Sequence, residues 1–279
     1  MSAYFSLEQF QETVEAIRGR TQHRSTVGMI LGTGLGSLAD EVQAADRLPY
    51  SELPHWPEST VEGHAGRLVI GELDGHTVLV MQGRAHYYEG YTMAQVGLPV
   101  RVMQLLGVQT LLITNAAGGV NPGFNPGDLM LITDHVNLIG MGGLNPLRGK
   151  NIDSFGPRFP DMMDSYDPEL RALAVQAAEG AGIGLQQGVY VSMAGPNFET
   201  PADLRFLQAI GADAVGMSTV PEVIVARQGG TRVLGVSGIS NKANLDGKTP
   251  TTHEEVLQAG RVIVPKLLTL IRGVLRGMR

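Results

Sequence analysis

The sequence predicts an α/β fold with a mixed sheet, and three observations carry that expectation. Short apolar runs of strand length end at glycine-bearing turns, as residues 26–31 do before Gly32. The pair Asp74-Gly75 separates two β-rich runs, 67–73 and 77–81, which is an antiparallel hairpin signal. From Pro168 onward, helical and strand-like segments alternate in the manner of parallel pairing. No linker, internal repeat or low-complexity segment divides the chain, so a single domain over 1–279 is expected.

Each element has its own signal. Ser6 and Gln9 stand at capping-box spacing ahead of Phe10, Val14 and Ile17, which recur on one face of a first, packing helix. Strand 26–31 leads into the loop Gly32-Thr33-Gly34-Leu35-Gly36 and then a helix over 37–42. After the hairpin, 92–106 reads as a helix stopped by Gly107, and 108–114 as a strand opening into a second loop, Asn115 to Gly119. A strand over 129–133 precedes a long irregular region from 140 to about 167, a length usually reserved for function or an interface. Helices are then expected at 168–181, 200–210 and 221–228, and strands at 188–193, 214–217 and 232–237. Thr200, Pro201 and Asp203 make a strong helix start. Thr252 with Glu255 opens a long terminal helix that Pro265 should kink.

Composition excludes several classes of function. Hydrophobic residues make up 43% and charged residues 17%, far from the signature of a disordered chain. With 21 Lys and Arg against 27 Asp and Glu, the net charge of −6 offers no cationic excess for nucleic acid or an acidic membrane. Cysteine is absent, which removes disulfides, thiolate nucleophiles and thiolate metal sites. Glu8, Glu12 and Glu15 interrupt the opening stretch, which reads as neither signal nor transit peptide. No apolar run reaches the ~18 residues of a membrane span, so a soluble, cytoplasmic protein is expected. Glycine, at 37 residues, is nearly twice the usual ~7% without a collagen period, which points to turns and phosphate-approaching loops.

Three of those loops suit one anion. Residues 32–36 follow a strand, so their amides could cradle a phosphate near a helix N-terminus; a ligand-free turn is the alternative. A dinucleotide site would need Gly where Ser37 stands, and a P-loop would need a Gly-Lys-Ser/Thr ending. Arg84 and His86, at i and i+2 in an extended segment, point two donors to one side, although a surface Arg beside a core His has the same spacing. Residues 114–119 form the third loop. Phe198 beside Glu199 could stack on a heterocycle while the carboxylate accepts from its edge; core packing and helix-dipole complementarity are the bland readings. Residues 216–219 and 240–242 follow apolar runs and should emerge at one edge of the sheet. Asn241 carries donors and an acceptor suited to a purine edge, or to a turn. No Gly-x-Ser-x-Gly elbow occurs, and His253-Glu254-Glu255 lacks the second His of a zinc helix. Trp56, the single Trp, is expected in the core or an interface.

Together these segments resemble the trimeric-type purine nucleoside phosphorylases. The ordered set is GTGLG from Gly32, TVEGHAG from Thr60, GRAHYYEG from Gly83, TNAAGG from Thr114, NPLRG from Asn145, GPNFET from Gly195, GMSTVPE from Gly216, SNKAN from Ser240 and HEEV from His253. The resemblance spans nearly the whole chain and implies a mixed sheet with a distorted barrel flanked by helices. It implies phosphate binding by Thr33, Arg84, His86, the Ala116 backbone and Ser218, with His64 on a nearby loop; Thr33 stands where Ser is more usual and keeps the hydroxyl. Tyr88, Met217 and His253 would meet the ribose, and Ala117, Phe198, Glu199, Val215 and Asn241 the base. Phe159 matches the aromatic that family members lend to a neighbouring subunit, so a homotrimer is implied.

The implied reaction is phosphorolysis of 6-oxopurine nucleosides, with Asn241, Glu199 and His86 as the expected catalytic residues. Phosphate is a co-substrate, and neither a metal nor an organic cofactor is expected. The partners are a purine nucleoside and phosphate. Methylthioadenosine phosphorylases share the phosphate loops but generally carry Asp where Asn241 stands and a small apolar residue where His253 stands. A catalytically silent nucleoside binder, a nucleoside hydrolase and an NAD-dependent oxidoreductase are the alternatives from other classes.

Overall fold

Nine strands join one mixed sheet in the computed structural model, which describes residues 4–61, 64–243 and 252–278. An open arm runs in the order β2 (Gln43–Pro49), β3 (Arg67–Leu73), β4 (His76–Gln82), β1 (Val27–Leu31). It continues into β5 (Thr110–Gly119), β8 (Ala214–Gly216), β7 (Leu185–Ser192), β6 (Leu129–Asn137) and β9 (Arg232–Lys242). Because β9 also pairs with β5, these last five strands close into a barrel. Strand β1 is parallel to β4 and β5, and β5 is parallel to β9, so four carboxyl ends gather on one side.

Side-chain alternation builds the core on both faces. In β1, Val27, Met29 and Leu31 enter one cluster while Ile30 enters the other, as the two-residue strand period requires. The first face is covered by α1 (Leu7–Arg18), α2 (Met93–Leu106) and α6 (Val220–Gln228); Trp56 is buried there, 5.4 Å from the Tyr50 ring. The other face is covered by α4 (Pro168–Gly180) and α7 (His253–Gly277). Two further helices, α3 (Leu138–Met141) and α5 (Pro201–Ala209), flank the barrel. Ser6 and Gln9 form their capping box, as do Thr200 with Asp203 and Thr252 with Glu255. Gly107 ends α2 at φ 105°. Asp74 and Gly75 take φ 48° and 84°, the paired positive values of a type I′ hairpin.

Several expectations are corrected. The helix over 37–42 is a short 3-10 helix, Gly36–Glu41, with no side-chain cap, so it offers no α-helical N-terminus to an anion. Strand β2 had no signal: it lies at the sheet edge, mostly outward-facing, and its pairing slips between Gln43 and Asp46. The loop expected at 115–119 is the second half of β5, held by β9 on one side and by β8 at Gly118 and Gly119. Pairing on both sides overrides the weak strand preference of Ala and Gly. Strand β9 likewise runs on through Ser240 and Asn241 instead of ending before them. Of the strands after 168, β7 pairs in parallel with β8 and with β6, and β9 in parallel with β5, but β8 is antiparallel to β5 and β9 is antiparallel to β6. Helix α7 continues through Pro265. Glu62, Gly63 and Asn244 of the quoted motifs lie outside the described residues. No described helix is long and apolar enough to cross a membrane.

Candidate active site

A cavity of about 350 Å³ opens where the carboxyl ends of β1, β4, β5 and β9 converge. That is the position at which open α/β sheets take ligands, and its size is at the low end for small-molecule sites. Thr33 arrives just past β1, Arg84 and His86 past β4, Ala116 and Ala117 on β5, and Asn241 near the end of β9. Val215, Met217 and Ser218 come from β8 and the turn after it, Tyr88 from the turn after His86, Phe198 and Glu199 from the approach to α5, and His253 from the start of α7.

One end is built for an anion. Arg84 is 1% exposed, and its Nη1 donates to Glu222 Oε1 at 3.1 Å and to Thr219 Oγ1 at 3.3 Å. Its Nη2 donates to the Thr114 carbonyl. Burial, with His86 and Arg84 close by, pushes His64 down to about 4, so its ring is neutral near pH 7. Its Nδ1 lies 2.8 Å from the Arg84 carbonyl, 2.8 Å from the Ser59 hydroxyl and 3.2 Å from the Arg84 amide, and its Nε2 is hydrogen-bonded to the Thr33 hydroxyl at 3.1 Å. His64 therefore orients Thr33 from behind the cavity wall. Gly83, at φ 98°, permits this approach, because a Cβ there would lie 2.6 Å from the His64 Cβ.

His86 has its tautomer set by a carboxylate. Burial raises the Glu89 carboxyl, but hydrogen bonds from the His86 ring, from Thr60 and from the His86 amide outweigh it and hold Glu89 at about 2. An ionised carboxylate only accepts, so Nδ1 of His86, 2.9 Å from Glu89 Oε1, carries a proton and Nε2 is left for the cavity. The His86 ring stacks on Tyr88 at 4.7 Å and on His64 at 5.2 Å. Burial, then the Glu89 charge, pushes the Tyr88 phenol up to about 12, so it stays a neutral donor.

The opposite end suits a flat heterocycle. Phe198 offers an aromatic face, and burial followed by the nearby Asp203 charge raises the Glu199 carboxyl. Ser240 Oγ donates to Asn241 Oδ1 at 2.8 Å, which fixes the amide with Nδ2 free to donate. Gly118 lies beside this corner: a Cβ there would stand 3.5 Å from Asn241 Nδ2, in ordinary van der Waals contact.

The structure thus brings together Thr33, Arg84, His86, Tyr88, Ala116, Ala117, Phe198, Glu199, Val215, Met217, Ser218, Asn241 and His253 around one cavity. His64 stands one hydrogen bond behind it. Phe159 does not join them; it is 89% exposed on the irregular segment that precedes α4. Sequence reasoning gave no individual role to Glu89 or Glu222, which hold His86 and Arg84 from behind; Asn115, Thr219 and Ser240 stood in segments expected at the ligand edge of the sheet, and Thr219 and Ser240 are hydrogen-bonded to Arg84 and Asn241 there. Glu89, three residues after His86, carried a visible spacing signal; Glu222 is distant in sequence from Arg84 and carried none. Among the described residues no group of three or more His, Asp and Glu is placed to hold a metal ion.

An anion-binding end, a middle lined by a phenol and an imidazole, and an aromatic, amide-edged end define a site for phosphate-dependent transfer on a heterocyclic substrate. The chain belongs to the phosphorylase superfamily, whose family model matches residues 26–276. It is 54% identical over 252 residues to purine nucleoside phosphorylase 1 of Geobacillus stearothermophilus, covering 90% of this chain and 91% of that one. It is 52% identical over 271 residues to the purine nucleoside phosphorylase of Bos taurus, covering 96% and 94%. Crystal structures of the Schistosoma mansoni purine nucleoside phosphorylase with adenosine and with inosine superpose at a TM-score of 0.94 and 41% identity, covering 100% of this chain and 99% of that one.

Proposed function

We propose that the protein is a pentosyltransferase that cleaves 6-oxopurine nucleosides and deoxynucleosides, such as inosine and guanosine, by phosphorolysis. The products are the free base and ribose or deoxyribose 1-phosphate. The observation that carries this reading is the single cavity with Arg84 and His86 at one end and Glu199 and Asn241 at the other. The purine nucleoside phosphorylases at 52–54% identity support it.

An oxygen of monohydrogen phosphate attacks C1′, the bond from C1′ to N9 breaks, and its electron pair passes into the purine. The proton that phosphate gives up ends, in net terms, on N7. Positive charge grows on the sugar and negative charge on the base, so contacts at both ends strengthen in the transition state. Thr33, Arg84, His86, Ser218 and the Ala116 amide hold phosphate beneath C1′. Tyr88, Met217 and His253 orient the sugar. Asn241 donates from Nδ2 to O6 and accepts the new N7 proton at Oδ1, Glu199 accepts N1–H, and Phe198, Ala117 and Val215 enclose the ring. A 6-amino group would meet the Asn241 donor with another donor, a mismatch that discriminates strongly in a buried site. No covalent enzyme intermediate, metal or organic cofactor is required.

We extend the reading to a homotrimer in which Phe159 faces the neighbour's ribose site; sedimentation of wild type and Phe159→Ala tests it, with trimeric mass and a raised nucleoside KM expected. Base release from inosine and adenosine, each with and without phosphate, tests the reaction. Phosphate-dependent hypoxanthine release with little adenosine cleavage is expected. Adenosine preference overturns the base assignment, and phosphate-independent release overturns the nucleophile.

A further inference from the structure

Arg84 reaches the anion end as a buried guanidinium, and the groups that fix it are not among those expected to touch substrate. Glu222, Thr219 and the Thr114 carbonyl accept from it. Thr219 is itself constrained. Asn115 Nδ2 donates to its Oγ1 at 2.8 Å, and its backbone sits at φ 73°, ψ −55°, with the Val220 amide donating to the Ser218 carbonyl at 2.8 Å. That is the strained, positive-φ form of the γ-turn, held by a β-branched residue, and such strain persists only where the surroundings over-determine it. The turn connects Ser218 to Glu222, so it couples two sides of the phosphate pocket. Glu222 is 3% exposed on the first turn of α6, and its Oε2 has no hydrogen-bond partner among the described residues. Its hydrogen bonding to Arg84 therefore runs through Oε1 alone.

We propose that Glu222 is the positioning residue of the phosphate end: it aims Arg84 through Oε1 and offsets the guanidinium charge, and so sets how tightly phosphate is held. The inference rests on the function proposed above only in taking phosphate as the anion. A buried guanidinium stays charged, and a buried charge without a partner is costly. Glu222 supplies the counter-charge in the free protein. Bound phosphate brings its own, and Glu222 then competes with it for Arg84.

The two roles separate experimentally. Glu222→Gln keeps an acceptor at the same reach and deletes the charge. The phosphate KM at saturating inosine is expected to fall about threefold or more while the inosine KM holds, and phosphate should raise Tm by more than in wild type. Thr219→Val keeps the branched shape and removes the second acceptor. It is expected to raise the phosphate KM about threefold or more, and it reads the same network if Glu222→Gln does not fold. Unchanged phosphate KM, equal Tm shifts, or parallel movement of the inosine KM would overturn the proposal, because a merely structural carboxylate changes Tm alone. The Tm shift needs no turnover. Wild type that is stabilised by phosphate but inactive on inosine sinks the phosphorylase reading and leaves this test standing.

Discussion

Glu199→Gln separates what the base site does for catalysis from what it costs in stability. The carboxylate is half-buried, and burial raises its proton affinity above the ordinary 4.5, helped by Asp203 and opposed by its own backbone N–H. A carboxyl raised in the folded state contributes stability that is fully present below its unfolded value and is lost as pH rises through the folded value. At pH 7 the wild type therefore carries an ionised group the fold disfavours, and glutamine removes that charge without changing size. The variant should melt above wild type at pH 7, with the difference closing toward pH 4. Its activity should move the other way. Glutamine keeps a neutral acceptor for N1–H, so the loss is the difference between a charged hydrogen bond and a neutral one, about 1–1.5 kcal/mol, and at about 1.4 kcal/mol per decade this lowers kcat/KM for inosine roughly 5- to 12-fold. Steady-state kinetics and thermal melts of the same preparations decide it. A kcat/KM within threefold of wild type would refute the base assignment, and a lower Tm at pH 7 would refute the burial argument.

Asn241→Asp should shift the ratio of adenosine to inosine cleavage toward adenosine, since a protonated Asp donates to N7 and accepts from a 6-amino group; unchanged selectivity rejects the role of Asn241. Glu89, held at about 2 against an ordinary 4.5, adds stability that is full above 4.5 and is lost as pH falls through about 2. The Tm gap between wild type and Glu89→Gln should accordingly narrow across that window, and a constant gap contradicts the pairing with His86. Gly83→Ala places a methyl 2.6 Å from the His64 Cβ at φ 98°. The backbone conformation alone costs about 1–2 kcal/mol, and the phosphate KM should rise as His64 is pushed from Thr33; an unchanged phosphate KM would show that His64 does not orient Thr33.

What could be read in advance was local. Ser6 with Gln9, Asp74-Gly75 and Gly107 each act within a few residues, through caps and positive-φ turns, and each forms as its chemistry dictates. The cavity-lining residues were legible because they cluster in short motifs at strand ends. Residues 115–119 read as a loop because Ala and Gly have weak strand preference, and only pairing with both β8 and β9 makes them a strand. Edge strand β2 is polar and irregular, so no periodicity marks it. The supports of Arg84 were invisible for a different reason. Thr219 and Glu222 lie 135 and 138 residues from it, and nothing local to either announces that they share one guanidinium.

The central claim is that phosphate itself attacks C1′. Turnover of inosine with phosphate labelled by ¹⁸O at all four oxygens, read by mass spectrometry of the sugar product, tests it most directly. The account expects ribose 1-phosphate that retains all four labelled oxygens, the bridging one included. Free ribose carrying an oxygen from solvent water would contradict it and make the protein a hydrolase.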